Sequence, residues 1–293
     1  MSDLIPGWLR AMPSVDVNGI EIHYECHGDD GPTLIVAHGL MGSIELTSRF
    51  ENDPAALAAK GLRVIAYDAR GHGKSGYTTN RADYTWTALG EDLYGLIRAL
   101  GIDRASVYGG SMGAGTALAL ALNHPDVVEK LILRAPPPFG EHRKDAQRTF
   151  GALSLLYQTL GTRLTSRIVT MMPDMKRAQI ANPKNDLRSF FGAQRRASIV
   201  PAIRGALFDE DLPVQRAGEV EQPTLILTHP DDQIHPLATG EALHERMPHA
   251  KLAVAPSATY WQDNADALVH VVTAFVKGET IARGLPEKTL HQH

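Results

Sequence analysis

The chain has 293 residues, 43% of them hydrophobic and 21% charged, with a formal net charge of −4. That length suits one α/β domain carrying an insertion, and the mildly acidic balance offers no electrostatic footprint for nucleic acid or an anionic membrane. The single cysteine, Cys26, excludes an intramolecular disulfide and reads as a buried structural thiol in a reducing compartment. The N-terminus shows no basic-then-apolar leader, and no apolar run reaches the roughly eighteen residues of a membrane span. A cytoplasmic protein is the expectation.

Residues 15–24 alternate around Asn18-Gly19, a two-residue hairpin signal. Residues 33–37 and 63–67 read as short strands buried on both faces, separated by a helical segment ending near Lys60-Gly61. Trp86, Leu89, Leu93, Leu96, Ile97 and Leu100 recur at helical spacing, and Gly101 stops that helix. A strand at 105–108 leads into Gly109-Gly110-Ser111-Met112-Gly113, and an apolar helical run over 114–122 follows. Strand, G-x-S-x-G, helix is the setting of a nucleophile elbow, a strained turn that lifts the serine hydroxyl clear of the sheet. Small residues at Gly109, Gly113 and Gly115 fit the close approach of strand and helix there. Another strand at 128–133 completes an alternation that predicts a mostly parallel sheet with helices on both faces.

The rhythm breaks after Arg134-Ala135-Pro136-Pro137-Pro138. Residues 139–217 carry helical spacing and no convincing strand, which reads as an all-helical cap over the C-terminal edge of the sheet, where α/β proteins bind ligands. Leu153, Leu155, Leu156, Leu160, Met171, Met172 and Met175 are expected chiefly to form the cap's own core. The methionines are a candidate adaptable wall for a ligand. Arg195, Arg196 and Arg204 read as solvated or paired. The βα rhythm resumes at 223–227, with a last strand at 251–254 and a helix through Lys277. The expected division is therefore 1–138 with 218–277 as the core, 139–217 as the cap, and 278–293 as a tail of uncertain order.

Three further segments join the elbow: His38-Gly39-Leu40-Met41-Gly42, Asp68-Ala69-Arg70-Gly71-His72-Gly73-Lys74-Ser75, and residues 223–236. With them the chain resembles α/β-hydrolase-fold enzymes over nearly its whole length, and among them bacterial aryl esterases and hydrolases of ring-cleavage products. The resemblance implies a mostly parallel eight-stranded sheet flanked by helices, with the helical cap above it. It implies Ser111 as nucleophile and the amides of Leu40 and Met112 as an oxyanion hole. It places the acid four residues before Pro236, at Asp232, with Asp231 as a solvated neighbour and Glu141 as runner-up. His38 and His72 are expected to brace turns. No cofactor and no metal are expected.

The resemblance fails at the base. The family carries it as Gly-His after the eighth strand, but here the loop reads Val254-Ala255-Pro256-Ser257-Ala258-Thr259-Tyr260-Trp261. Counting from the strand puts Tyr260 at that position, and counting from the last helix puts Ala258 there. A tyrosine with a pKa near 10 is a poor base at neutral pH, which leaves Tyr260 as a candidate substrate contact. His235, three residues beyond Asp232, is the best candidate for a replacement base, weighed against a role as a pocket-lining bystander. His229 ranks below it, and His142, His291 and His293 lower still. The expected activity is hydrolysis of a mostly apolar small-molecule ester or lactone. The alternatives are a ligand-binding protein with little turnover, and a C–C hydrolase or cofactor-free lyase. No nucleic-acid or membrane partner is expected, and the tail is a candidate contact in a homo-oligomer.

Overall fold

The computed structural model describes residues 13–46, 53–173, 175–176, 186–230, 232, 234–281, 286 and 289–291. Strands β1 (Ser14–Val17) and β2 (Ile20–His27) form the predicted hairpin. Asn18 and Gly19 take φ of 51° and 76°, the mirror-image turn whose twist matches its strands. Strands β3 (Thr33–Ala37), β4 (Arg63–Tyr67), β5 (Ala105–Gly110), β6 (Val128–Arg134), β7 (Thr224–Thr228) and β8 (Ala250–Val254) pair in parallel, and β2 joins β4 antiparallel. These are the eight strands expected from the sequence. The segment read as a tail adds a ninth, β9 (Thr289–His291), antiparallel to β8. The spatial order is β1-β2-β4-β3-β5-β6-β7-β8-β9.

Helices α1 (Pro54–Ala58), α2 (Trp86–Ala99) and α3 (Met112–Asn123) belong to the first half of the sheet. Burial on both faces explains why β3, β4 and β5 are continuous apolar runs. On one face Leu93, Leu96 and Leu118 pack over Val107 and Leu131. On the other, Leu57, Trp261, Leu268 and Val272 cover Val36 and Tyr108. Cys26, expected to be buried, is half-buried against the first of these cores.

Between β6 and β7 lie α4 (Arg143–Met171), α5 (Leu187–Gly192) and α6 (Arg196–Arg204). Gly161, at φ 74°, kinks α4. Ala146, Leu153, Tyr157, Ile199 and Ile203 make a core of their own that reaches Met41 below, with Leu156 and Met175 at its margin. Leu155, Leu160, Met171 and Met172 do not join it and stand exposed. A helix turns only one stripe inward, and Leu155, Leu160 and Met171 fall off that stripe, while Met172 lies just past the helix end. The arginines are tethers. Arg195 donates to the carbonyls of Gly73 and Ser75 at 2.7 Å each, and both Arg196 and Arg204 bond Gln158. Gln194 reaches Met41 O at 2.9 Å and Ser198 reaches Gly71 O at 2.6 Å, so these helices are seated on the loops that follow β3 and β4.

The loop after β4 is held by its own polar groups. Asp68 accepts the amides of Ile44 and Lys74, each at 2.7 Å. His38 Nε2 accepts the Ala69 amide at 2.9 Å, the bracing role expected of it. His72 is buried with Nδ1 2.9 Å from Arg70 O. Burial first, and the neighbouring His38 second, lower its pKa to about 3. Between that value and the ordinary histidine pKa of about 6.5 the unfolded chain binds the extra proton. Stability is therefore full above the upper value and declines as pH falls toward the lower one. Urea denaturation across this window is expected to show a shallower acid decline for His72→Asn than for the native protein.

Among the described residues, no helix is long and apolar enough to cross a membrane.

Candidate active site

The elbow sits between the end of β5 and the start of α3. Ser111 adopts φ 50° and ψ −112°, outside the regions a serine prefers, so the surroundings must enforce it. They do so by contact. A Cβ on Gly109 would lie 2.2 Å from Gly113 O, and one on Gly113 would lie 2.1 Å from Ala37 O. Strand and helix can approach this closely only with glycine at both places. The Ser111 amide donates to Arg134 O at 2.9 Å, fixing the turn to the neighbouring strand.

The second component comes from the loop between β7 and α7 (Leu237–Arg246). Asp232 Oδ1 accepts the amides of Ile234 at 2.8 Å and His235 at 2.9 Å, so the carboxylate shapes the turn it stands in. Its Oδ2 lies 2.9 Å from His235 Nδ1, and His235 Nε2 lies 2.8 Å from Ser111 Oγ. A carboxylate can only accept, so Nδ1 carries the hydrogen and Nε2 presents its lone pair to the serine hydroxyl. Burial alone would raise the Asp232 carboxyl. The hydrogen bond and charge of His235, with the two amides, outweigh it and hold the group well below the usual carboxylate range. Asp232 stays ionised and the His235 ring stays oriented.

Leu40 and Met112 line one cavity with Ser111 and His235. Gly39 comes so near the elbow that a Cβ there would be 3.4 Å from Ser111 Cβ. Among the described residues neither the Leu40 nor the Met112 amide has a hydrogen-bond partner, the condition for two N–H dipoles to meet a developing oxyanion. The remaining wall is apolar and includes Trp86, Pro137, Phe150, Leu207 and Ile234. No lysine, arginine, aspartate or glutamate is among the described lining residues. Trp86 and Phe150 escaped sequence reasoning because each also fits an ordinary helical apolar stripe. The available signal was Gly115, the small residue on α3 against which Trp86 packs.

The other candidates are placed elsewhere. Tyr260, considered as a substrate contact, opens the short helix α8 (Tyr260–Asp263) and packs edge-on against Trp261 with ring centres 5.0 Å apart. It belongs to the core beneath the opposite sheet face and does not line the cavity, because the preceding residues 256–259 run out into solvent. Glu141 is exposed and pairs with Lys144. His229 Nε2 is 3.5 Å from Asp232 Oδ2, so it flanks Asp232, with Nδ1 turned to Pro230 O. His142 is exposed and packs edge-on against Phe139. Asp231 and His293 lie outside the described residues, as does the side chain of His291. No group of three or more metal-ligating side chains is found among the described residues.

The sequence profile of the alpha/beta hydrolase fold matches residues 32–261. A Caulobacter sp. (strain K31) protein named as a carbamate hydrolase, RutD, is 31% identical over 258 residues, covering 84% of this chain and 90% of that protein. A 2-hydroxy-6-oxononadienedioate/2-hydroxy-6-oxononatrienedioate hydrolase of Burkholderia vietnamiensis (strain G4 / LMG 22486) is 27% identical over 274 residues, covering 89% and 93%. Among solved structures, the enol-lactonase of Burkholderia xenovorans LB400 superposes with a TM-score of 0.76 at 24% identity, covering 90% of this chain and 99% of that one.

Proposed function

This chain belongs to the alpha/beta hydrolase fold family, and from that premise we propose that it is a serine hydrolase of mostly apolar carboxylic esters or lactones whose general base is His235. The observation that carries the reading is the unbroken chain of contacts from Ser111 Oγ to His235 Nε2 at 2.8 Å and from His235 Nδ1 to Asp232 Oδ2 at 2.9 Å. His235 takes the serine proton as Oγ attacks the substrate carbonyl, and Asp232 stabilises the imidazolium that forms. The amides of Leu40 and Met112 receive the negative charge of the tetrahedral intermediate, an interaction worth about 3 kcal/mol per donor in comparable sites. The imidazolium then protonates the departing alkoxide. A water, deprotonated by the same His235, releases the acid and restores the serine.

The relative that cleaves dienedioates acts on a substrate whose name specifies two carboxylates. Two such groups call for cationic partners, and the described lining here supplies none. An uncharged acyl group suits this wall better.

Intact-mass detection of a fluorophosphonate adduct tests the reading. One adduct per chain, absent from Ser111→Ala, is the expected result. No adduct on the native protein after long incubation would leave ligand binding as the working function.

A further inference from the structure

The cavity over Ser111 holds one polar side-chain group that the reaction does not use. Trp86 is 3% exposed, lines this cavity, and its indole Nε1–H is buried with no hydrogen-bond partner. Among the buried partnerless side-chain atoms of the described residues, it is the one carried by a lining residue. The ring is held firmly. A Cβ on Gly115 would meet Trp86 Cε3 at 2.6 Å and Cζ3 at 2.8 Å, so the benzene edge is pressed on α3. At the foot of the side chain, Thr85 caps α2 by accepting the Ala88 amide at 3.3 Å. Nε1 lies on the opposite edge of the indole from Cε3, away from the contact with α3.

An indole N–H is a donor only. Buried polar groups in folded proteins are nearly always paired, and one left unpaired beside a ligand cavity is explained most directly by the ligand. We propose that Trp86 Nε1–H is a specificity-determining donor, and that the preferred substrate is an ester or lactone bearing a second oxygen acceptor, such as a ketone or ether, besides its scissile carbonyl. This rests on the hydrolase reading and narrows it. A cavity with apolar walls and one fixed donor favours an apolar molecule interrupted by a single acceptor over a plain hydrocarbon chain. It also rejects the hydrocarbon analogue, because that analogue leaves the donor buried and unpaired.

The test separates binding from turnover. Ser111→Ala protein is titrated calorimetrically with phenyl oxohexanoates carrying the ketone at successive positions, each beside its methyl-branched isostere. At one ketone position affinity is expected to exceed that of the isostere by about tenfold, and adding Trp86→Phe is expected to bring that ratio close to one. The indole 15N–1H resonance of Trp86 in the Ser111→Ala protein supplies a readout that needs no second substitution. It is expected to move downfield with the ketone and not with the isostere. Equal affinities at every position, a ratio that survives Trp86→Phe, or an unmoved indole resonance would each overturn the proposal. The hydrolase reading stands or falls separately, on the fluorophosphonate adduct.

Discussion

Replacing His235 with alanine is expected to lower kcat for a simple aryl ester by about four orders of magnitude, with a much smaller change in KM. The reason is positional. His235 Nε2 is 2.8 Å from Ser111 Oγ, and among the described residues no other imidazole is bonded to that hydroxyl. Its loss removes both the acceptor of the serine proton and the donor to the leaving group, while the apolar wall that binds substrate stays in place. Fluorophosphonate labelling of Ser111 should slow in parallel. The more informative companion is the double change His235→Ala with Tyr260→His, which puts an imidazole back into the segment where the family carries it. No rescue is expected, because Tyr260 packs on Trp261 within the opposite core and the residues before it face solvent. Recovery of even a hundredfold in kcat would show that the segment after β8 reaches the serine, and would undo the assignment of His235.

The largest expected loss of stability comes from Asp92→Ala. Asp92 on α2 meets Arg70 through Oδ2–Nε and Oδ1–Nη2 contacts of 2.7 Å each and accepts a third bond from Asn18 Nδ2 at 2.9 Å. Both charged side chains are buried. Burial works against the Arg70 cation, yet the bond to Asp92 and its charge more than offset this, and the guanidinium holds its proton more tightly than usual. Truncating Asp92 strands that cation in the core, at a cost of about 3–5 kcal/mol, which corresponds to a fall of roughly 10 °C in Tm for a domain of this size. The double change Asp92→Leu with Arg70→Met removes both charges and is expected to recover much of the loss. Thermal denaturation of the two variants beside the native protein decides it. Equal losses would mean that packing at these positions, not the stranded charge, sets the cost. The pair also matters to the site: it anchors the 68–75 loop whose carbonyls receive Arg195, and so the seat of α6.

Local sequence determined a good deal of this molecule. Asn18-Gly19 fixes its own hairpin, since few other pairs accept positive φ at both positions. The continuous apolar runs of β3 to β5 declare burial on both faces, and with intervening helices they leave a parallel sheet as the arrangement that satisfies them. The elbow was legible because its glycines are required by backbone contacts close in sequence. Asp232 was legible only through the family resemblance, which places the acid four residues before Pro236 and left Glu141 as runner-up.

What the sequence left open concerned partners distant along the chain. His235 could be ranked above the other histidines, but base and bystander differ only in where the imidazole points. Its direction is set by β5 and β7 meeting the same strand, β6, which brings residues 111 and 235 to one edge of the sheet. Tyr260, one of two residues that counting put at the family's histidine position beside Ala258, lies elsewhere in space, for the loop before it runs into solvent and its ring turns to the far core. Leu155 and Leu160 share the composition of a core stripe, yet only the packing of α4 on α5 and α6 selects which side of the helix is covered. Trp86 looked like one more apolar residue of α2 until the fold set it in the wall beside Ser111. The sequence alone determined the sheet and the elbow, because hydrogen bonds and steric contacts near in the chain specify them. The direction of the His235 imidazole and the wall of its cavity were decided by tertiary structure, because each depends on side chains that only the assembled sheet and the helices between β6 and β7 bring within contact.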